Sequence, residues 1–519
     1  MRLLFVAQPY FHHQGSLTVF QSSPPSPCKT VSRLGAFAKA EDGAVLVLWA
    51  LFLAVALGFL ALSFDLGRVA STQSELQSYT DQVALASAGE LDGRPDAITR
   101  ATAAAAGLIA DRQTYADGAN ALGGAGNYTI AFLSTLPTSD AVAATAVTTD
   151  ARLARYVRVQ TTQRTVQTPF AAANAAMTGN QITNVQSNIS AVSTAGMTSY
   201  ACDVTPLMFC VPNASWRASN NIGKQIQLRT GSGTGAWGPG NFGFLDVTSL
   251  PVDPTGPCAA ESGAQLYRCL VGAARGITAC IRTDVGVDTK PGQRQGLALA
   301  FNYRFDIYNG AQANQRQNDA NYRPAPNTVQ GTKPSGKGND CRSNNPPASD
   351  VIGLPKDGNI TGTNRFGNGV WDRAGYVAAN HNGVYPVGTS STSSRYQMYL
   401  AEIAAAATRS SPNNVPLPGK VETGAPQCHK LGASSDPDRR TIVAAAVDCT
   451  TTPVSGNTTG IVPLEYVKMF MTNPVQGGGQ GNGTDLDPFD IMVEVVNTAG
   501  GVGSGAITGV YNDFIQLYR

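Results

Sequence analysis

Residues Ala44–Phe64, AVLVLWALFLAVALGFLALSF, carry no charge and almost no polar side chain, and any fold of this chain must find a place for them. A helix rises about 1.5 Å per residue, so roughly 20 such residues match the roughly 30 Å hydrocarbon core of a bilayer. A core helix of this length has a polar face, and a secretory h-region is shorter and leads into a small-x-small cleavage site. Here Glu41-Asp42-Gly43 precedes the run and Asp65-Leu66-Gly67-Arg68 follows it, with no such site. The stretch, residues 42–65, reads as a retained transmembrane anchor.

The flanks give the anchor a direction. Lys29, Arg33 and Lys39 lie before it, whereas Arg68 alone is close behind it, beside Asp65 and Glu75. By the positive-inside rule the N-terminus is cytoplasmic and the large C-terminal part lies on the far side. Cysteine placement agrees: Cys28 precedes the anchor, and eight follow it, Cys202, Cys210, Cys258, Cys269, Cys280, Cys341, Cys428 and Cys449. An even number beyond the membrane suits disulfides in an oxidising compartment. Eight cysteines allow 105 pairings; Cys202–Cys210 is the most local candidate. Charged residues are only 14% while Gly reaches 55 and Pro 30, which suits an exported, loop-rich body. A net charge of +2 leaves no footprint for nucleic acid.

Residues 1–41 show no periodicity and read as a disordered tail around QSSPPSPCKT. No methionine occurs between Met1 and Met177, so a start nearer Arg33 is compatible with the sequence. Beyond the anchor, Leu66, Val69, Leu76, Tyr79, Val83 and Ala86 recur at helical spacing, so anchor and stalk are expected to form one helix ending at Asp92-Gly93. Pro95 opens a second, Ala-rich helix to Arg112. Strands are expected at Tyr128–Leu133, Ala154–Val166 and Val185–Val192, with a short helix at Phe170–Met177, which completes a small α+β unit over 66–200. Residues 201–519 form a Gly/Pro-rich α+β domain with long loops at about 311–350 and 476–485. Within it Ser394–Arg409 reads as helix, Thr441–Val447 and Asp490–Asn497 as strands, and the intervening VPLEYVKMFMTNPV as helix.

The order Gly43, apolar span, Asp65-x-Gly67-Arg68, Leu76-Gln77, then Asp81 with Ala84 and Leu85 resembles the N-terminal signature of TadE/TadG-like Flp pilus-assembly proteins. The resemblance covers about Ala40–Leu91, with Gln82-Val83 where that family favours small residues. Phrases such as CDVTPLMFC and DRRTIVAAAVDC extend it more loosely toward long TadG-like proteins. It implies a single-pass protein of the bacterial inner membrane with its bulk periplasmic, whose partners are the membrane and other pilus-assembly or secretion proteins. It implies no enzymatic activity. Two family features are missing. Prepilin cleavage needs Glu at the fifth position after the glycine, and Leu48 stands there; the D-x-S-x-S metal motif of von Willebrand A domains does not occur.

Other chemistry is thin. Gly331-Thr-Lys-Pro-Ser-Gly336-Lys337 begins like a phosphate loop, but Gly338 replaces the magnesium-binding Ser/Thr, so it reads as a plain loop. Cys428-His429 reads as a disulfide cysteine beside a surface His rather than a metal pair. Asp485–Asp490 lacks EF-hand spacing and reads as a turn of solvated carboxylates. The aromatic run Trp237–Phe244 reads as packing around tight turns. No catalytic residue, metal, cofactor or small-molecule ligand is expected. The fold class is α+β, a transmembrane/stalk helix followed by an exported, strand-rich, disulfide-containing head. Its expected role is a structural component or accessory factor of Flp pilus assembly or surface attachment; the alternative is an exported hydrolase or glycan-binding adhesin in residues 201–519.

Overall fold

The computed structural model describes residues 43–92, 96–107, 109–137, 145–151, 153–177, 186–230, 236–283, 285–290, 295–308, 313–333, 345–409, 415–476, 489–498 and 511–518. The expected N-terminal tail, Cys28, Cys341 and most of the 476–485 loop lie outside them. The chain divides into two compact units, residues 1–70 with 167–187, and residues 71–166 with 188–519.

Helix α1 runs unbroken from Gly43 to Ala88. It contains no proline, and Leu- and Ala-rich composition supports it throughout. It stops at Gly89, where three successive amides fold back on Leu85, Ser87 and Ala88 carbonyls. In the first unit, its apolar part is joined by α3 (Pro169–Met177). In the second, α2 (Ala97–Gly107) follows α1. This Ala-rich helix is shorter than the sequence suggests, because residues 110–112 are drawn into strand β1 (Ala110–Arg112), paired with β2 (Ala121–Gly123).

A five-stranded sheet carries the rest of this region. Its strands β3 (Tyr128–Leu133) and β4 (Tyr156–Thr161) are antiparallel, and β7 (Val192–Ala201) lies beside β4; β5 (Arg164–Gln167) and β6 (Gln186–Ile189) form a separate two-stranded sheet. The strand expected over Ala154–Val166 is thus two, separated where the Thr162 amide turns to the Asn127 carbonyl. β7 pairs with β4 along Val192–Gly196 and with the end of the chain, β15 (Tyr511–Leu517), along Ala195–Ala201. Gly196 is required here, because a Cβ would collide with the Tyr156 ring lying across the strand. That ring also meets Tyr518 edge-on at 5.2 Å. Leu76, Tyr79, Val83, Ala84 and Ala88 of α1 pack against Tyr128, Phe132, Val157, Val159 and Ala195 of the sheet.

The remainder is built on a closed six-stranded barrel, ordered β10-β8-β12-β13-β14-β9. Its strands are β8 (Leu207–Cys210), β9 (Gln225–Thr230), β10 (Asn241–Phe244), β12 (Thr441–Val447), β13 (Glu465–Met471) and β14 (Ile491–Thr498); β11 (Ile281–Arg282) belongs to the sheet, pairing with β7. Most neighbours are antiparallel, but β8–β12 and β9–β10 are parallel. Alternate residues from all six strands, among them Phe209, Ile226, Phe242, Ala444, Met469 and Val493, meet in one core. That core also takes in α4 (Gly263–Gly272), α5 (Gln295–Ala298) and the 3-10 turn Leu299–Phe305. Outside β13, Phe470 packs with α7 (Arg373–His381) and α8 (Arg395–Ala407), the latter opened by the capping box of Ser394 and Gln397. A short α6 spans Ala313–Asn318.

Three sequence expectations change. VPLEYVKMFMTNPV is not helical: β13 crosses it, with Val467, Met469 and Met471 inside the barrel and Tyr466 and Phe470 buried on the other face. Cys202 does not pair with Cys210. Cys202 follows β7 and bonds Cys280 just before β11, since Ala201 faces Ile281; Cys210 bonds Cys449, since β8 lies beside β12 with Cys210 facing Val447. A third bridge joins Cys258 and Cys269, and Cys428 is also disulfide-bonded. The 311–350 loop is in part interior, because Tyr322, Ala325, Thr328 and Val329 are buried; residues 334–344 lie outside the described set.

Candidate functional site

Every large side chain from Leu46 to Leu66 that projects from α1 is exposed, Leu46 at 74% and Leu66 at 59%. This is the one described helix long and apolar enough to cross a membrane. Asp65, the first charge after the run, is nevertheless buried. Its carboxylate accepts hydrogen bonds from the amides of Phe170 (3.4 Å) and Ala171 (2.7 Å), in the first turn of α3. Pro169 opens that turn, where its missing N–H costs nothing, and the positive helix end suits a carboxylate. Phe64 and Phe170 meet edge-on at 5.4 Å.

Further along α1 the motif residues form a seam with the start of β7. The Gln77 side-chain amide donates to Asp81 Oδ1 (2.8 Å), to the Val192 carbonyl (3.2 Å) and to Ser193 Oγ (2.8 Å). Ser193 Oγ in turn donates to Asp81 Oδ1. One turn earlier, Gln73 donates to the Ser190 carbonyl, and Glu75 accepts from the amide and hydroxyl of Thr114. Leu76 and Ala84 are fully buried in the underlying core, and Leu85 packs at its edge. The structure therefore brings Leu76, Gln77, Asp81, Ala84 and Leu85 to one interface. Gly43 begins the helix, Gly67 faces open space, and Arg68 is half-buried. Sequence reasoning missed Ser193, which carries no signal beyond its place at the start of a strand.

The barrel region holds its own buried charges, each engaged internally. Arg395 is wholly buried between Asp357 (2.6 Å) and Glu494 (3.0 Å), and Glu494 also accepts the first amides of α8. Arg440 donates to the Met471 and Thr472 carbonyls among the rings of Phe305, Tyr399 and Phe470, and burial pushes its pKa down to about 10. Glu402 gathers Asn327, the Tyr376 hydroxyl (2.7 Å) and His381 Nε2 (2.8 Å), tying α7 to α8. Sequence reasoning missed this layer; Glu494, a lone charge inside the apolar run IMVEVV, is the signal that could have found it.

Two buried carboxylates fill backbone cradles. Asp306 accepts from the amides of Gln427, Cys428 and His429. Glu422 accepts from those of Gln330, Gly331 and Thr332, so the start of the phosphate-loop-like segment is occupied by the protein's own carboxylate. His429 Nε2–H donates to the Asp319 carbonyl and its Nδ1 accepts from the Leu431 amide, and burial lowers its pKa. It is a buried rather than a surface histidine. Asp490 is held by Arg229 and Gln227 instead of being solvated; residues 485–488 lie outside the described set. Trp237 is buried over Gly243, whose Cβ would meet the indole, so the aromatic run is packed inward. Among the described residues no group of three or more His, Cys, Asp or Glu side chains could hold a metal.

Residues 43–90 match the family described as "Putative Flp pilus-assembly TadE/G-like". That segment is TadE/G-like. Its limits coincide with α1 and its stop, so the matched region is the apolar run together with the half of the helix that docks on the sheet. No curated protein and no solved structure matches the chain. A role in Flp pilus assembly is supported by the TadE/G-like segment, and the helix is consistent with membrane anchoring.

Proposed function

We propose that this chain is a membrane-anchored structural component or accessory factor of Flp pilus assembly or surface attachment, acting through protein contacts rather than catalysis. The observation that carries the reading is α1: an exposed apolar run and the half that docks on a sheet form one unbroken helix, and the TadE/G-like match covers both. In this reading the N-terminus is cytoplasmic, on the strength of Lys29, Arg33 and Lys39, and the disulfide-bonded bulk is periplasmic. Other pilus-assembly proteins are its partners. Leu48 in place of the prepilin glutamate favours an anchor that is retained over a subunit that is processed.

Deleting the gene tests the role. Pilus number and surface attachment are expected to fall and to return with the wild-type gene. Restoration by a copy lacking the apolar run, or an unaltered pilus count in the deletion, would refute it.

A further inference from the structure

We infer that α3 is a second membrane contact, a short helix seated in the bilayer interface beside the end of the span. The inference rests on the anchor reading above and extends it to a segment roughly 100 residues further along the chain.

The argument begins with depth. The apolar run from Ala44 matches the hydrocarbon thickness and ends at Phe64, so Asp65 falls at the boundary between acyl chains and headgroups. A carboxylate at that level is costly unless paired or hydrogen-bonded. The bonds it makes come from the Phe170 and Ala171 amides, which places the first turn of α3 at the same depth. Phe64 against Phe170 repeats the contact with apolar surface.

What α3 presents there suits lipid. Its sequence is PFAAANAAM, and no Asp, Glu, Lys or Arg occurs between Arg164 and Asp203. Pro169, Phe170, Ala172 and Ala173 are exposed, with Phe170 at 45%. An uncharged helix with an exposed aromatic ring, continuous with the exposed surface of the span, gains by burying that surface at the interface. The occupant of this face is therefore the bilayer itself rather than a second protein.

The test uses the full chain in proteoliposomes, with p-benzoylphenylalanine replacing Phe170, whose exposed ring leaves room for the added benzoyl group and whose backbone amide still caps Asp65. Replacement of Phe52, within the span, gives the reference for lipid contact, and replacement of the exposed Val387 gives the background. After irradiation, the proposal expects a mass increase of one phospholipid at position 170 with a yield close to that at 52 and above that at 387. Adducts at 52 but only background at 170 would overturn it while leaving the anchor standing. Adducts at neither position would overturn the anchor reading and this inference together.

Discussion

Up to Phe64, α1 exposes leucine, valine and phenylalanine around its whole circumference; from Gln73 to Ala88 the same helix buries one stripe and keeps glutamine, aspartate and serine at its edges. The backbone does not change between the two stretches, and neither does helix propensity in any way that matters. What changes is the medium each is built for. The first lacks a polar face, as suits a helix that lies in lipid under the anchor reading proposed above. The second carries Gln73, Gln77 and Asp81 because it must be oriented on a sheet, and side-chain hydrogen bonds to Ser190, Val192 and Ser193 fix that orientation. Asp65 marks the change, and α3 supplies the bonds that allow a charge there.

The comparison breaks first under charge. Replacing both Leu53 and Leu57 with Arg costs roughly 6 kcal/mol of insertion, at about 3 kcal/mol each near a span centre. The protein is expected to leave the carbonate-washed membrane fraction while the near-ultraviolet spectrum of the disulfide-bonded region is kept. Next comes Tyr79→Ala, which removes a fully buried ring packed beside Tyr128. A loss of about 3–5 kcal/mol of stability is expected in denaturant melts, with membrane retention unchanged, whereas Tyr79→Phe keeps most of the stability. Gln77→Ala is milder, about 1 kcal/mol, because Asp81 and Ser193 still hold each other. If Gln77→Ala released the protein from the membrane instead, the division of labour along α1 would be wrong.

Much of this was legible in sequence. A run without charge declares its own environment, and the heptad-like return of Leu76, Tyr79 and Val83 declares a docked face. The barrel was less visible for a physical reason. β13 buries both faces, Val467 and Met469 inward, Tyr466 and Phe470 outward, so the polar–apolar alternation that identifies a strand is erased. Disulfide partners follow strand register, which local sequence does not encode, as Cys210 and Cys449 show. The pairing of β15 with the sheet, with Tyr518 against Tyr156, likewise depends on contacts between segments far apart in the sequence.

The smallest expected effect separates the barrel from the span by pH. His429 is held neutral, its pKa below the ordinary 6.5 because of burial. The unfolded chain takes up that proton more readily, so stability is full above 6.5 and is lost as pH falls from there through the folded value. His429→Gln is expected to flatten that part of the melting-temperature profile. The apolar span, with no titratable group, contributes nothing to it.

The central claim is that Ala44–Phe64 crosses a membrane and carries the folded region to the far side. Protease protection tests it directly, using intact spheroplasts and tags at both termini. The account predicts that added protease removes the C-terminal tag and leaves the N-terminal tag protected until the membrane is lysed. Protection of the C-terminal tag, or recovery of both tags in the soluble fraction, would contradict it.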